Sequence, residues 1–261
     1  MKKQPLGQNY LINEGVAREI IHQARVSNDQ CVLEIGPGKG ILTALLLEKA
    51  KSLTAIEIDS RLCLALANRF ETYENFQLIK TDALRYDYNA LGNKCQVVSN
   101  LPYYAATHIL KRLIHYRKHF THITVMLQKE VVDRLVAIPG SRDYGSLSVF
   151  IQFYCDVERL IEVSKEAFSP KPKIDSSVIK LTPLANPKVK VDNLKTFFTV
   201  VNASFLHKRK MLKNNLTGWK NLFQNQNKKT ELAGIDLNRR GETLSLEEFA
   251  SLSNYIYSCN D

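Results

Sequence analysis

The stretch Cys31-Val32-Leu33-Glu34-Ile35-Gly36-Pro37-Gly38-Lys39-Gly40 is where the architecture can first be read. Its first five residues are mostly apolar and read as a short buried strand. The glycines read as a tight turn, and the apolar run Ile41–Lys51 as a helix that follows directly. Strand, glycine turn and helix open a doubly wound α/β sheet, where the turn is the place a ligand is met. Glycine lets the backbone approach that ligand closely, where any Cβ would collide. The spacing G-x-G-x-G is not the dinucleotide G-x-G-x-x-G, which favours a nucleoside cofactor without a pyrophosphate over a nicotinamide.

Outward from this turn, three further strands end in residues of matching chemistry. Leu53-Thr54-Ala55-Ile56 leads to Glu57, where a carboxylate can accept two hydrogen bonds from a ribose diol. Asp59, just beyond, reads as the N-cap of the next helix. Phe76–Ile79 leads to Asp82, which can accept from an adenine amino group. Cys95–Val98 leads to Ser99-Asn100-Leu101-Pro102-Tyr103-Tyr104. There a carboxamide and free carbonyls beside a flat ring form a receptor for a planar base that carries an exocyclic amine. A helix over about 106–116, a strand at 123–127 and a helix from Glu130 follow, and Ile174–Leu181 closes the fold as a strand. Before it, the prolines of Phe168-Ser169-Pro170-Lys171-Pro172-Lys173 stiffen a loop and leave Phe168, Lys171 and Lys173 on a rigid platform. Upstream, Gln8-Asn9-Tyr10-Leu11 leads into a first helix at Glu14–Arg25.

The chemistry follows if the glycine turn (Gly36, Gly38), Glu57 and Asp82 hold S-adenosylmethionine. An adenine amine is a poor nucleophile because its lone pair is delocalised into the ring. The Asn100 side-chain oxygen and a main-chain carbonyl at Leu101 or Pro102 can take its two N–H hydrogens. That favours a pyramidal nitrogen and frees the lone pair for attack. Tyr103 is expected to stack on one face of the flipped base and Phe168 on the other. Methylation at ring carbon needs a cysteine nucleophile, usually after proline, and the chain has no Pro-Cys pair.

Composition narrows the partner. The 261 residues carry a net charge of +10, which favours a polyanion. Residues 185–261 hold 12 basic and 7 acidic side chains, against 24 and 19 in the much longer remainder. From Asn193 to Thr230 there are eight Lys or Arg and no Asp or Glu, a window better explained by phosphate contact than by a solvated face. His207-Lys208-Arg209-Lys210 and Lys213 fall at the end of a helix marked by Leu194, Phe197, Phe198, Val201 and Phe205. Ser245-Leu246-Glu247-Glu248 is a capping box that opens a last helix to about Tyr257. His115 and His119, at i and i+4, lack the glutamate of a zinc protease and read as a solvated helix face. The five cysteines are spread and unpaired, so neither a disulfide framework nor a metal site is expected. No apolar run reaches membrane-spanning length and no signal peptide is expected, which fits a cytoplasmic protein.

Together these motifs resemble the bacterial ribosomal RNA small-subunit adenine dimethyltransferases (the KsgA/RsmA group). The resemblance runs through Gln8–Leu11, Glu34–Gly40, Glu57, Asp82, Asn100–Tyr103, Phe168–Ser176 and Gly241–Phe249. It implies a Rossmann-like class I S-adenosylmethionine-dependent methyltransferase domain over 1–184 and a small all-helical RNA- and ribosome-binding domain over 185–261. It implies two methyl transfers to N6 of each of two adjacent adenosines near the 3′ end of 16S rRNA in the small ribosomal subunit, by a monomer. Asn9, Leu11, Gly36, Glu57, Asp82 and Asn100 are then expected to contact the cofactor. Asn100, Leu101, Pro102, Tyr103 and Phe168 are expected to hold the adenine, and Lys171, Lys173, Lys208, Arg209, Lys210 and Lys213 the RNA. Two departures stand out: Tyr10 where phenylalanine is expected, and Lys208-Arg209-Lys210 in place of an arginine pair. The nearest alternative is the related methylase of large-subunit rRNA, from which Arg239–Ser245 separates this chain. An alternative of another class, a binding factor that lost the chemistry, is opposed by the intact Glu57, Asp82, Asn100 and Tyr103.

Overall fold

Hydrophobic periodicity accounts for the elements. The first helix buries Ala17, Ile20, Ile21 and Ala24, one face at three- and four-residue spacing, and Asn13 caps it by accepting from the Val16 N–H at 3.0 Å. The computed structural model describes residues 9–92, 94–219 and 231–259. Gln8 and residues 220–230 of the acid-free window lie outside the described residues.

In chain order the elements are β1 (Tyr10–Leu11), α1 (Glu14–Ala24), β2 (Cys31–Ile35), α2 (Ile41–Leu47), β3 (Ser52–Glu57), α3 (Ser60–Arg69), β4 (Phe76–Lys80), β5 (Cys95–Asn100), α4 (Ala106–His115), β6 (Phe120–Gln128), α5 (Lys129–Val136), α6 (Ser146–Tyr154), β7 (Cys155–Val163), β8 (Phe168–Ser169) and β9 (Ser176–Pro183). After them come α7 (Leu194–Ser204), α8 (Leu212–Asn215), β10 (Glu231–Leu232), β11 (Ile235–Asp236) and α9 (Leu246–Ser258). A seven-stranded sheet has the order β4-β3-β2-β5-β6-β9-β7. Strands β2 to β6 run parallel, and β9 pairs antiparallel with β6. The parallel strands read as apolar runs because both faces are covered: Val32, Leu33, Val97, Val98, Val125, Met126 and Leu127 are all buried. The chain lays β2, β3 and β4 outward in one direction, then returns to place β5 on the other side of β2. The loops after β2 and β5 leave in opposite directions and open a crevice at the carboxyl ends of the strands.

The chain divides into two compact units, residues 1–132 with 156–185 and residues 133–155 with 186–261. The last boundary falls after Ala185, one residue beyond the expected division, and residues 133–155, expected in the first domain, group with the second unit. Aromatic complementarity is the reason. Phe153 lies 4.7 Å from Phe197 and Phe150 lies 5.5 Å from Phe198, between ring centroids. Main-chain bonds from Lys188 N–H to the Phe153 carbonyl (2.9 Å) and from Gly140 N–H to the Glu242 carbonyl (2.7 Å) add to this. The second unit is also not all helical, since β10 and β11 form a short antiparallel pair. Its last helix carries the expected capping box, with Ser245 and Glu248 each accepting from the other's main-chain N–H.

Candidate functional site

The strand ends singled out in the sequence meet at one cavity of about 280 Å³ in the first unit. Asn9, Leu11, Gly36, Gly38, Glu57, Asp82 and Asn100 through Tyr104 line it, together with Glu34.

The glycine turn is shaped by left-handed backbone at Gly36, Gly38 and Gly40, with φ of +67°, +59° and +81°. A Cβ on Gly38 would stand 3.1 Å from the Tyr10 ring, and one on Gly40 2.9 Å from Leu66 and Phe70. The Gly38 N–H reaches one Glu57 oxygen at 3.4 Å, while the other accepts from the Ile58 and Asp59 N–H groups, both at 2.9 Å. Main-chain donors alone hold this buried carboxylate, and lone pairs remain for a diol. Asp82 accepts from the Leu84 N–H at 2.9 Å through one oxygen, which leaves the other for an amino group. Asp59 caps α3 as expected.

Asn100 is the most telling residue. Its side-chain oxygen is buried and has no hydrogen-bond partner. An acceptor buried without a donor costs free energy, and here it lies in the lining of a cavity. Pro102's carbonyl already accepts from the Ala105 N–H at 3.0 Å, so Leu101 offers the less committed of the two neighbouring carbonyls.

Two positioning features escaped the sequence. The β2–β5 ladder ends at Leu33 and Val97, and just past it the buried Ser99 hydroxyl accepts from the Ile35 N–H at 2.8 Å. That bond ties the root of the glycine turn to the root of Asn100. Glu34, 2% exposed, accepts from the Thr43 hydroxyl at 2.7 Å. Burial, reinforced by the neighbouring Glu57 charge, pushes its carboxyl up to about 8. The available signal was a lone acid inside an apolar strand.

The aromatic pair departs from expectation. Tyr103 lines the cavity, and its hydroxyl is 2.7 Å from that of buried Ser176. Phe168, expected as a parallel wall across a bound base, is not among the lining residues and is only 3% exposed. Its ring meets Tyr103 edge-on, with centroids 6.4 Å apart and planes at 61°. The cause is local: β8 pairs with β1, opposing Phe168 to Leu11, and this pins the ring in an apolar cluster with Met126 and Val178.

The basic residues differ in how free they are. Lys171 is ion-paired with Glu166, whereas Lys173 is exposed. In the second unit, exposed Lys208, Arg209 and Lys210 fall in the turn after α7, and Lys213 donates to Asn238 at 2.7 Å. Asn215 shapes that turn: buried, it donates to the carbonyls of Ser204 (2.8 Å) and His207 (3.2 Å). Cys95 sits at the opposite end of β5 from Asn100, and burial pushes its thiol up to about 11. Among the described residues no group of three or more His, Cys, Asp or Glu could hold a metal, and no helix is long and apolar enough to cross a membrane.

A glycine turn after the first strand of a parallel sheet, acids after the next two and Asn-Leu-Pro-Tyr after the fourth define a Rossmann-like class I methyltransferase. Solved structures share the fold. A dimethyladenosine transferase from Plasmodium falciparum matches with a TM-score of 0.74 and 27% identity over 93% of this chain and 95% of that one. The 23S rRNA methyltransferase ErmE, at 22% identity, matches with a TM-score of 0.71 over 95% of this chain and 100% of that one. The chain belongs to the ribosomal RNA adenine dimethylase family, which it matches over residues 1–258. It is 45% identical over 255 residues to ribosomal RNA small subunit methyltransferase A of Clostridium acetobutylicum (97% of this chain, 92% of the relative). To the protein of the same name from Geobacillus thermodenitrificans it is 44% identical (97% and 90%). It is accordingly an S-adenosylmethionine-dependent rRNA adenine dimethyltransferase. The residues present fit that cofactor: two carboxylates with spare lone pairs, a turn with glycine at positions 36, 38 and 40, and an orphaned acceptor on a residue lining the same cavity.

Proposed function

We propose that the chain dimethylates N6 of each of two adjacent adenosines near the 3′ end of 16S rRNA in the small ribosomal subunit, working in the cytoplasm as a monomer. The names of the relatives at 44–45% identity support the subunit. Arg239–Ser245 is the segment that resembles the small-subunit enzymes. One chain supplies every residue of the scheme below, which supports the monomer.

The observation that carries the chemistry is the orphaned Asn100 oxygen beside the Leu101 carbonyl. Bound S-adenosylmethionine supplies an electrophilic methyl group. Glu57 takes hydrogen bonds from the ribose hydroxyls and Asp82 from the adenine amine of the cofactor. Asn9 and Leu11 cover it, and Gly36 and Gly38 let the main chain close on it. Asn100 and Leu101 accept the two N–H bonds of the target amine and hold its lone pair free of the ring. Tyr103, with its hydroxyl fixed by Ser176, stacks on the flipped base. No titrating base is required: the nitrogen–carbon bond would form as the methyl–sulfur bond breaks to leave a neutral thioether, and the cationic amine would then lose its proton to solvent. Lys173 and the Lys208–Lys213 segment hold the RNA backbone.

Labelled methyl transfer to small subunits lacking the modification, with the product base mapped, tests this reading. Dimethylated adenosines near the 3′ end of 16S rRNA are expected; label confined to large-subunit rRNA overturns the proposed target.

A further inference from the structure

The cavity carries an uncommitted surface at its lip. Tyr104 lines the cavity yet is 56% exposed, and the chain leaves it directly as α4, whose Ile109 also lines the cavity. Along α4 and the turn after it, His108, Lys111, His115 and Lys118 are exposed or half-buried while Ile109, Leu110, Leu113 and Ile114 are buried. Spacings of three and four put His108, Lys111 and His115 on one face of α4, about 10 Å long at the helical rise, and Lys118 follows in the turn after it.

The charge pattern there is one-sided. From Tyr88 to Lys129 the chain has no Asp or Glu, yet holds six Lys or Arg and four of its six histidines. An ordinary solvated helix alternates charges and gains from opposite-sign pairs at i, i+4. Two lysines of the first unit are neutralised by acids, Lys129 by Glu162 and Lys171 by Glu166. Among the described residues, Lys111 and Lys118 have no acidic partner. Arg112 is turned away, donating to the Tyr86 carbonyl at 3.0 Å and lying over the Tyr116 ring.

We propose that this face of α4 is a phosphate track for the RNA strand flanking the target adenosine. The proposal rests on the reading of the cavity as the site of adenine methylation. A base drawn out of its stack enters the cavity while its own backbone stays outside. The neighbouring phosphates must then leave across the lip, where α4 starts; from there the helix runs back toward the other end of the sheet, with Lys118 two residues before Phe120, the partner of Cys95. Lysine ammoniums fit that task as point charges that hold a backbone without reading sequence. The imidazoles of His108 and His115 add N–H donors.

The test compares Lys111→Ala/Lys118→Ala with a control pair, Lys49→Ala/Lys51→Ala, which removes equal charge from exposed positions elsewhere in the first unit. Binding to a 3′-terminal fragment of small-subunit rRNA is followed against salt, alongside steady-state methylation and S-adenosylhomocysteine affinity. Leaving two single-strand phosphates without their lysines flattens the log–log salt slope by about 1.4. KM for RNA should rise while kcat and nucleoside affinity stay at wild-type values, with the control pair unchanged. A slope equal to wild type, or an equal flattening in the control pair, overturns the track. Absence of adenine methylation by the wild type overturns the underlying reading instead, and the slopes still decide the track.

Discussion

Asn100 keeps a buried carboxamide oxygen without a donor, a free-energy cost, and in the proposed chemistry the substrate amine relieves it. Glu34 shows a second cost of the same kind. Its carboxyl ionises near 4.5 ordinarily and near 8 in the folded chain. Between those values the unfolded chain has released a proton that the native state still holds, so Glu34 makes stability fall as pH rises through that window. Glu34→Gln removes this contribution. Urea unfolding at pH 5 and pH 8 should show a smaller loss across the interval in the variant than in wild type; parallel behaviour contradicts it. That Asn100, Glu57 and Asp82 line one cavity was legible because each stands at or just after the end of an apolar strand of the same sheet. Phe168 was read as a wall of the site, and its placement beside Tyr103 in the apolar cluster instead depends on a β8–β1 pairing across more than 150 residues.

Among the strands and helices, the site depends on two adjacent parallel strands ending in register. The glycine turn of β2 could be read locally. The Ser99 hydroxyl could not, since its partner, Ile35, lies 64 residues away. Ser99→Ala leaves the Ile35 N–H buried without an acceptor, at a cost of about 1–3 kcal/mol. Chemical denaturation should show that loss, and S-adenosylhomocysteine affinity should fall with it as the turn and Asn100 lose their common anchor. Full affinity in a destabilised variant would show that the bond serves stability alone. The grouping of 133–155 with the second unit rests on contacts as distant in sequence as that of Ser99. The rings of Phe150 and Phe153 find Phe198 and Phe197 more than 40 residues on, and no local period announces such a pairing.

Over the entire chain, charge is the property that sequence reports best, because it needs no fold to be counted. The acid-free window of the second unit places Lys208, Arg209 and Lys210 in an exposed turn held by Asn215. Replacing those three by alanine should weaken binding to the small subunit and flatten its salt dependence, by about 0.7–0.9 for each phosphate no longer neutralised. An unchanged slope removes them from the RNA interface. The acid-free stretch around α4 was present in the same sequence. It gained meaning only once the fold started α4 at the cavity lip.

Everything proposed for the chemistry requires that Asn100 and a neighbouring carbonyl hold the target amine. The decisive experiment is single-turnover methylation by Asn100→Ala, paired with calorimetric S-adenosylhomocysteine binding and a thermal melt. The transfer rate should fall by about 10²-fold or more in a protein that still folds and binds the nucleoside. Transfer within a few-fold of wild type contradicts the assignment.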